Sequence, residues 1–211
     1  LAGLYFSQFI GLGFVVTAVP AILRDEGAEL DEIGWIYLLG LVWSLKFLWA
    51  PLVDRYGSKR LGHYRSWLLV LQPLICVVLV AIAFFDIMTQ LGISAILFLL
   101  LSLFSATQDI AADALAVTIL EPEERGLGNS VQAAGGFLGN MIGGGIILIT
   151  YQYVQWMGSL FILAGLTAIP LLNIFLYREK PAPADLRENR PGYGDFIKFF
   201  RRPGACRWVP I

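Results

Sequence analysis

Cysteine and histidine are scarce in this 211-residue chain, which has two cysteines, Cys76 and Cys206, and one histidine, His63. Two cysteines so far apart give neither a disulfide framework nor the paired spacing of a metal site. The single histidine lies in a basic loop and reads as a solvated side chain. It leaves no Ser/His/Asp or His-Glu-x-x-His constellation from which to build a hydrolase. Charge is scarce too, at 15% of residues against ~25% for an average soluble domain. A G-x-x-x-x-G-K-S/T sequence is missing, which excludes a Walker-type nucleotide site. The basic loops lack the interleaved aromatics of RNA-binding modules, so no nucleic-acid partner is expected. Neither a metal nor a cofactor is expected.

What the chain has is hydrophobic length. Apolar residues make up 57% of it, and mean hydropathy is +0.70. A membrane span needs ~20 predominantly apolar residues. The stretches Leu1–Leu23, Ile33–Val53, Ser66–Phe85 and Leu91–Leu120 each meet that length. Gly126–Tyr177 is too long for one span, and the polar aromatic patch from Tyr151 to Trp156 divides it in two. The expectation is an all-α membrane protein with six spans over residues 1–177 and a lipid bilayer as its solvent. The first run opens without a basic region or a small-residue cleavage site, so it reads as a retained helix and not as a signal peptide.

Orientation follows from lysine and arginine. Thirteen of the fifteen basic residues fall after the second, fourth and sixth spans, whereas the first loop holds Arg24 beside Asp25, Glu26, Glu29, Asp31 and Glu32. The positive-inside rule then places the amino terminus and the basic loops in the cytoplasm. Residues 178–205 are charged and contain Pro181, Pro183 and Pro191, as expected of a cytoplasmic linker. Within them Tyr193, Phe196, Ile197 and Phe200 mark a candidate interfacial helix, with packing on the protein's own cytoplasmic face as the alternative. Residues 206–211 read as the opening of a seventh helix.

Lys46, Asp109 and Asp113 stand inside otherwise apolar spans. Lipid disfavours such groups by ~2.5–3.5 kcal/mol each, so they normally meet a partner or a watery cavity and mark a substrate or proton path. Ser102, Ser105, Asp109 and Asp113 are spaced to form one polar stripe along the fourth helix. Lys46 and Asp113 both lie ~12 Å from the cytoplasmic ends of their helices at ~1.5 Å per residue. That depth predicts a Lys46–Asp113 pair, with Asp109 one turn deeper and free to take a proton or meet solute. A static charge cluster holding the helices together is the alternative. Gln108 and Gln132 join this candidate path, and Gln8 and Gln72 are weaker members, Gln72 being near enough to its helix end to read as interfacial. Gly135, Gly139 and Gly143 recur at four-residue intervals, as in helices that approach closely in lipid. Their face serves either plain packing or sliding against a missing half. Trp35, Trp67 and Trp156 suit aromatic-belt anchoring.

The segment Ala50-Pro51-Leu52-Val53-Asp54-Arg55-Tyr56-Gly57-Ser58-Lys59-Arg60 resembles the signature loop of the major facilitator superfamily, G-x-x-x-D-R-x-G-x-K/R-K/R, with Ala50 in place of the first glycine. Leu45–Pro51, Ala106–Asp113 and Glu123–Asn129 are similar to the branch holding AmpG-type muropeptide permeases, acetyl-CoA transporters and rhizobactin/pyochelin siderophore importers. The stretch Leu127–Gly135 leans toward the siderophore importers. The resemblance implies the amino-terminal half of a twelve-helix fold, built as two three-helix repeats of inverted topology, with a further six-helix half as its partner. It implies alternating access across a bacterial inner membrane, proton-coupled import of a small organic solute, and a latch role for Asp54, Arg55, Gly57, Lys59 and Arg60. Siderophore ranks first as solute, muropeptide second and acetyl-CoA third. A membrane-embedded enzyme and a non-transporting membrane subunit stay open as alternatives.

Overall fold

A computed structural model describes residues 1–179 apart from Met88, together with Tyr193, Gly194, Lys198 and Arg201. The linker and seventh-helix expectations therefore fall almost wholly outside the described residues. Among those described, every regular element is helical except for one isolated bridge between Ser58 and Gly62.

Six spans form an all-α membrane bundle. Span one is Ala2–Asp25, span three His63–Ile82 and span four Leu91–Ile119. Spans five and six lie within the 55-residue helical stretch Pro122–Leu176. They separate at Gln155, whose backbone stands at φ 57° and ψ −173°, a region nearly confined to glycine. Span two differs most from its expected single helix. It is broken into Leu30–Leu38, Gly40–Leu45, a 3₁₀ turn Lys46–Leu48 and Ala50–Arg55. Pro51 accounts for part of the break, because it lacks the N–H needed inside a helix and suits the first turn of a new one.

Side-chain register fixes the directions. Gly135 meets Tyr5 and Gly143 meets Ile10, so spans one and five run the same way. Tyr5 meets Asp113 and Gln8 meets Asp109, so span four runs against span one, and Gln72 meets Thr167 while Cys76 meets Ala164, so span six runs against span three. Arg65, Ile119 and Tyr177 thereby gather at one end with Leu1, around a cavity of about 390 Å³.

The core comes in two apolar blocks. One contains Ile10, Phe14, Ile75, Leu79, Phe98, Leu101, Leu160 and Leu163, and the other contains Leu4, Tyr5, Leu68, Ile110, Leu115 and Ile174. On span one, Ser7 and Gln8 fall between the blocks; on span three, Gln72; on span four, Ser105 and Gln108; on span six, Thr167. All of these are buried. Gln72 is fully buried, not interfacial, and donates to Thr167 O and Ser7 Oγ.

Spans one and five touch backbone to backbone. Each has a π-helical segment, Phe14–Ala18 and Met141–Ile146, and the two pack together. Gly135 faces Tyr5 and Phe6, Gly139 faces Phe6 and Ile10, and Gly143 lies on the Ile10 carbonyl. The glycine face is thus turned inward onto span one and is not offered to another half.

Two substitutions read this geometry in opposite senses. Gly143→Ala drives a methyl into the Ile10 backbone and is expected to cost about 1–3 kcal/mol in thermal unfolding, while Gly145→Ala, which meets nothing within 4 Å, stays close to neutral. Gln155→Gly relieves the positive φ and is expected to raise stability by about 1 kcal/mol, read as an upward shift of the same transition.

Candidate functional site

The broken second span delivers Lys46. Leu45 and Trp49 flank the 3₁₀ turn with ψ near zero, −1° and −2°, and this re-aims the chain so that Lys46 reaches span four. Trp49 secures the turn by donating from Nε1 to Thr107 Oγ1 at 3.1 Å. Lys46 Nζ pairs with Asp109 Oδ2, while Gln8 Nε2 of span one donates to Oδ1 of the same carboxylate. Both carboxylate oxygens are therefore engaged, and three spans meet on one side chain. The Asp109 side chain is only 4% exposed, against 30% for Lys46, so the ammonium is the reachable member of the pair.

One turn nearer the end of span four, Asp113 is half-buried. Its Oδ1 accepts from Tyr5 Oη at 3.0 Å and from Gln132 Nε2 at 3.1 Å. Among the described residues Lys46–Asp109 is the salt bridge within the spans, and Asp113 is held by neutral donors alone. This corrects the expected pairing. Lys46 meets the deeper aspartate, and among the described residues no salt bridge reaches Asp113. A Lys46–Asp113 pair at equal depth requires a straight second span, and the turn at Lys46 shifts the ammonium toward Asp109.

Gln132 is placed beside Asp113, and Gln108 is fully buried next to Asp109 with neither amide atom engaged. Tyr5 escaped the sequence reading because a tyrosine near a span end reads as an interfacial anchor. The available signal was its position three residues before Gln8, on the same face.

The signature loop forms a second constellation. Asp54 Oδ1 accepts from Tyr64 Oη at 3.2 Å, and Trp67 Nε1 donates to the Tyr56 carbonyl at 2.6 Å. Ser58 Oγ accepts from the backbones of Arg60 and Leu61. His63 is a working part of this loop and not a solvated side chain: Nε2 donates to Val53 O at 2.9 Å. Gly57 lies against the imidazole ring where a Cβ would clash. Arg55, Lys59 and Arg60 are exposed. Arg65 donates to the Ile174 and Phe175 carbonyls, and so ties the loop to the end of span six. Among the described residues no three His, Cys, Asp or Glu side chains converge as metal ligands.

The family model described as Major Facilitator Superfamily matches residues 1–209. The chain belongs to that superfamily. It is 35% identical over 209 residues to an uncharacterised protein of Haemophilus influenzae, covering 97% of this chain and 49% of that protein. It is 34% identical over 177 residues to the anhydromuropeptide permease of Escherichia coli K12, covering 83% of this chain and 36% of that permease. The chain thus spans between about a third and a half of the length of these relatives. Among superfamily members it is AmpG-like and corresponds to the amino-terminal half, an integral membrane protein.

The arrangement around Asp113 gives a direct test. Tyr5→Phe removes one of two hydrogen bonds to a carboxylate and is expected to cost about 1–3 kcal/mol of thermal stability. In an Asp113→Asn background the same change should cost about 1 kcal/mol or less, as for a bond between neutral groups. Equal losses in both backgrounds would show that Tyr5 does not act through the carboxylate.

Proposed function

We propose that the whole protein is a secondary active transporter that imports a small organic solute by alternating access, driven by protons, across a bacterial inner membrane. The observation that carries this reading is the polar constellation of Lys46, Asp109, Asp113, Gln8, Tyr5 and Gln132, drawn from spans one, two, four and five. Ionisable groups inside a bundle mark the route of solute or ions. The roles divide by compensation. Lys46 and Asp109 neutralise each other, and the half-exposed ammonium offers a site for an anionic group of the solute. Asp113 has no salt-bridge partner among the described residues, so a bound proton is its means of compensation, and Tyr5 and Gln132 are placed to sense its arrival. Membership of the superfamily favours this reading over an enzyme or an accessory subunit.

The solute ranking changes with the relatives. A 34% identical protein bears the name anhydromuropeptide permease, so a sugar–peptide fragment of the cell wall moves to first place, ahead of a siderophore and acetyl-CoA. A second six-helix half supplies the facing wall of the solute cavity. The amino terminus is cytoplasmic, which the bias of basic residues supports. In that orientation the loop of Asp54, Arg55, Gly57, Lys59 and Arg60 lies inside the cell and latches the two halves.

Uptake of radiolabelled anhydromuropeptide and of ferric siderophores by cells expressing the full-length chain tests the solute. Asp109→Asn and Asp113→Asn test the coupling. Both are expected to abolish accumulation against a gradient, with Asp113→Asn retaining downhill exchange. If both variants still accumulate solute uphill when a proton gradient is applied, the coupling role is wrong.

A further inference from the structure

Between the two apolar blocks the bundle is crossed by a layer of Ser7, Gln8, Gln72, Gln108, Asp109 and Thr167, contributed by spans one, three, four and six and all buried. Hydrogen bonds join Gln8 to Asp109, and Gln72 to Ser7 and the Thr167 carbonyl; Ser7 and Gln108 are the chain neighbours of Gln8 and Asp109 and set these groups at one level. Five side-chain atoms of this layer have no hydrogen-bond partner among the described residues, namely Gln8 Oε1, Gln72 Oε1, both amide atoms of Gln108 and Thr167 Oγ1. Buried polar atoms in native proteins are almost always satisfied, so five at one level need a common explanation.

They do not satisfy one another. The amide nitrogens of Gln8 and Gln72 are committed to Asp109 Oδ1 and Thr167 O, and this fixes both Oε1 atoms as acceptors in want of a donor. Gln108 needs a donor and an acceptor at once. Water supplies both, and buried water typically makes about three hydrogen bonds to such groups.

We infer that this layer binds water, one or more molecules bridging Gln8 Oε1, Gln72 Oε1, the Gln108 amide and Thr167 Oγ1. Such water extends the hydrogen-bonded shell of Asp109 through Gln8. Gln8 is the link, with one amide atom on Asp109 and the other on the water. The carboxylate thereby keeps a polarisable environment inside an apolar bundle, and Gln108 and Thr167 act as positioning residues for it. The functional part of this inference rests on Asp109 having the role proposed above; the hydration of the layer does not.

A structure of the full-length chain in lipid nanodiscs, at a resolution that shows ordered water, is the test. Density within hydrogen-bonding distance of at least two of the five atoms is expected, and an empty layer overturns the inference. Thr167→Val keeps shape and removes only the hydroxyl, so it tests the same point without repacking. If Thr167 Oγ1 holds water, the Tm falls by a few degrees; if the atom is unpartnered, deleting it raises the Tm. Gln108→Leu should shift the Tm in the same direction as Thr167→Val. Neither readout needs a known solute. Loss of uptake in the wild type with water present would count against the transporter reading alone.

Discussion

An ammonium and a carboxylate that share one buried site constrain almost everything around them. Charges in an apolar span are costly unless paired and hydrogen-bonded, and in this bundle the pair is made from two spans that are far apart in sequence. Lys46 reaches Asp109 only because span two gives up its regular helix at Lys46–Leu48. Gln8 reaches the other carboxylate oxygen from span one, which packs on spans four and five. The inward glycines, the packed π-helical segments and the broken second span thus serve the same end. They bring three backbones near enough for Lys46, Gln8 and Asp109 to meet.

That closeness divides the interior. Two apolar blocks lie on either side of a polar layer, and the layer passes through Asp109. Apolar burial on each side stabilises the bundle without specific geometry, whereas the layer requires a fixed register among four spans. A slip of one residue in span four would carry Asp109 away from Gln8 and Lys46 and put Gln108 or Ile110, neither of them charged, in its place. The polar level therefore sets the register that the apolar blocks leave loose.

Much of this was legible in the sequence for physical reasons. Hydrophobic length marked the spans, and the patch from Tyr151 to Trp156 located the division that Gln155 makes. The rarity of charge in lipid singled out Lys46, Asp109 and Asp113. Pairing was not legible, because depth along an ideal helix cannot anticipate a 3₁₀ turn, and Trp49-Ala50-Pro51 was the one local hint of it. Tyr5 was hidden by the habit of tyrosine at interfaces. The glycine stripe showed close packing, but which helix it meets depends on tertiary arrangement. His63 looked solvated because a loop position does not disclose the carbonyl of Val53 beside it.

Lys46 and Asp109 stabilise the bundle as a pair and not as separate side chains. A double-mutant cycle on the full-length chain, read by thermal unfolding, tests it most directly. Lys46→Met leaves the buried Asp109 carboxylate unpaired and should cost about 3–5 kcal/mol, and Asp109→Asn, which leaves the partly exposed ammonium, should cost less. The double variant, neutral at both positions, should recover a large share of that loss. Additive losses, or single variants with no effect, would contradict the account.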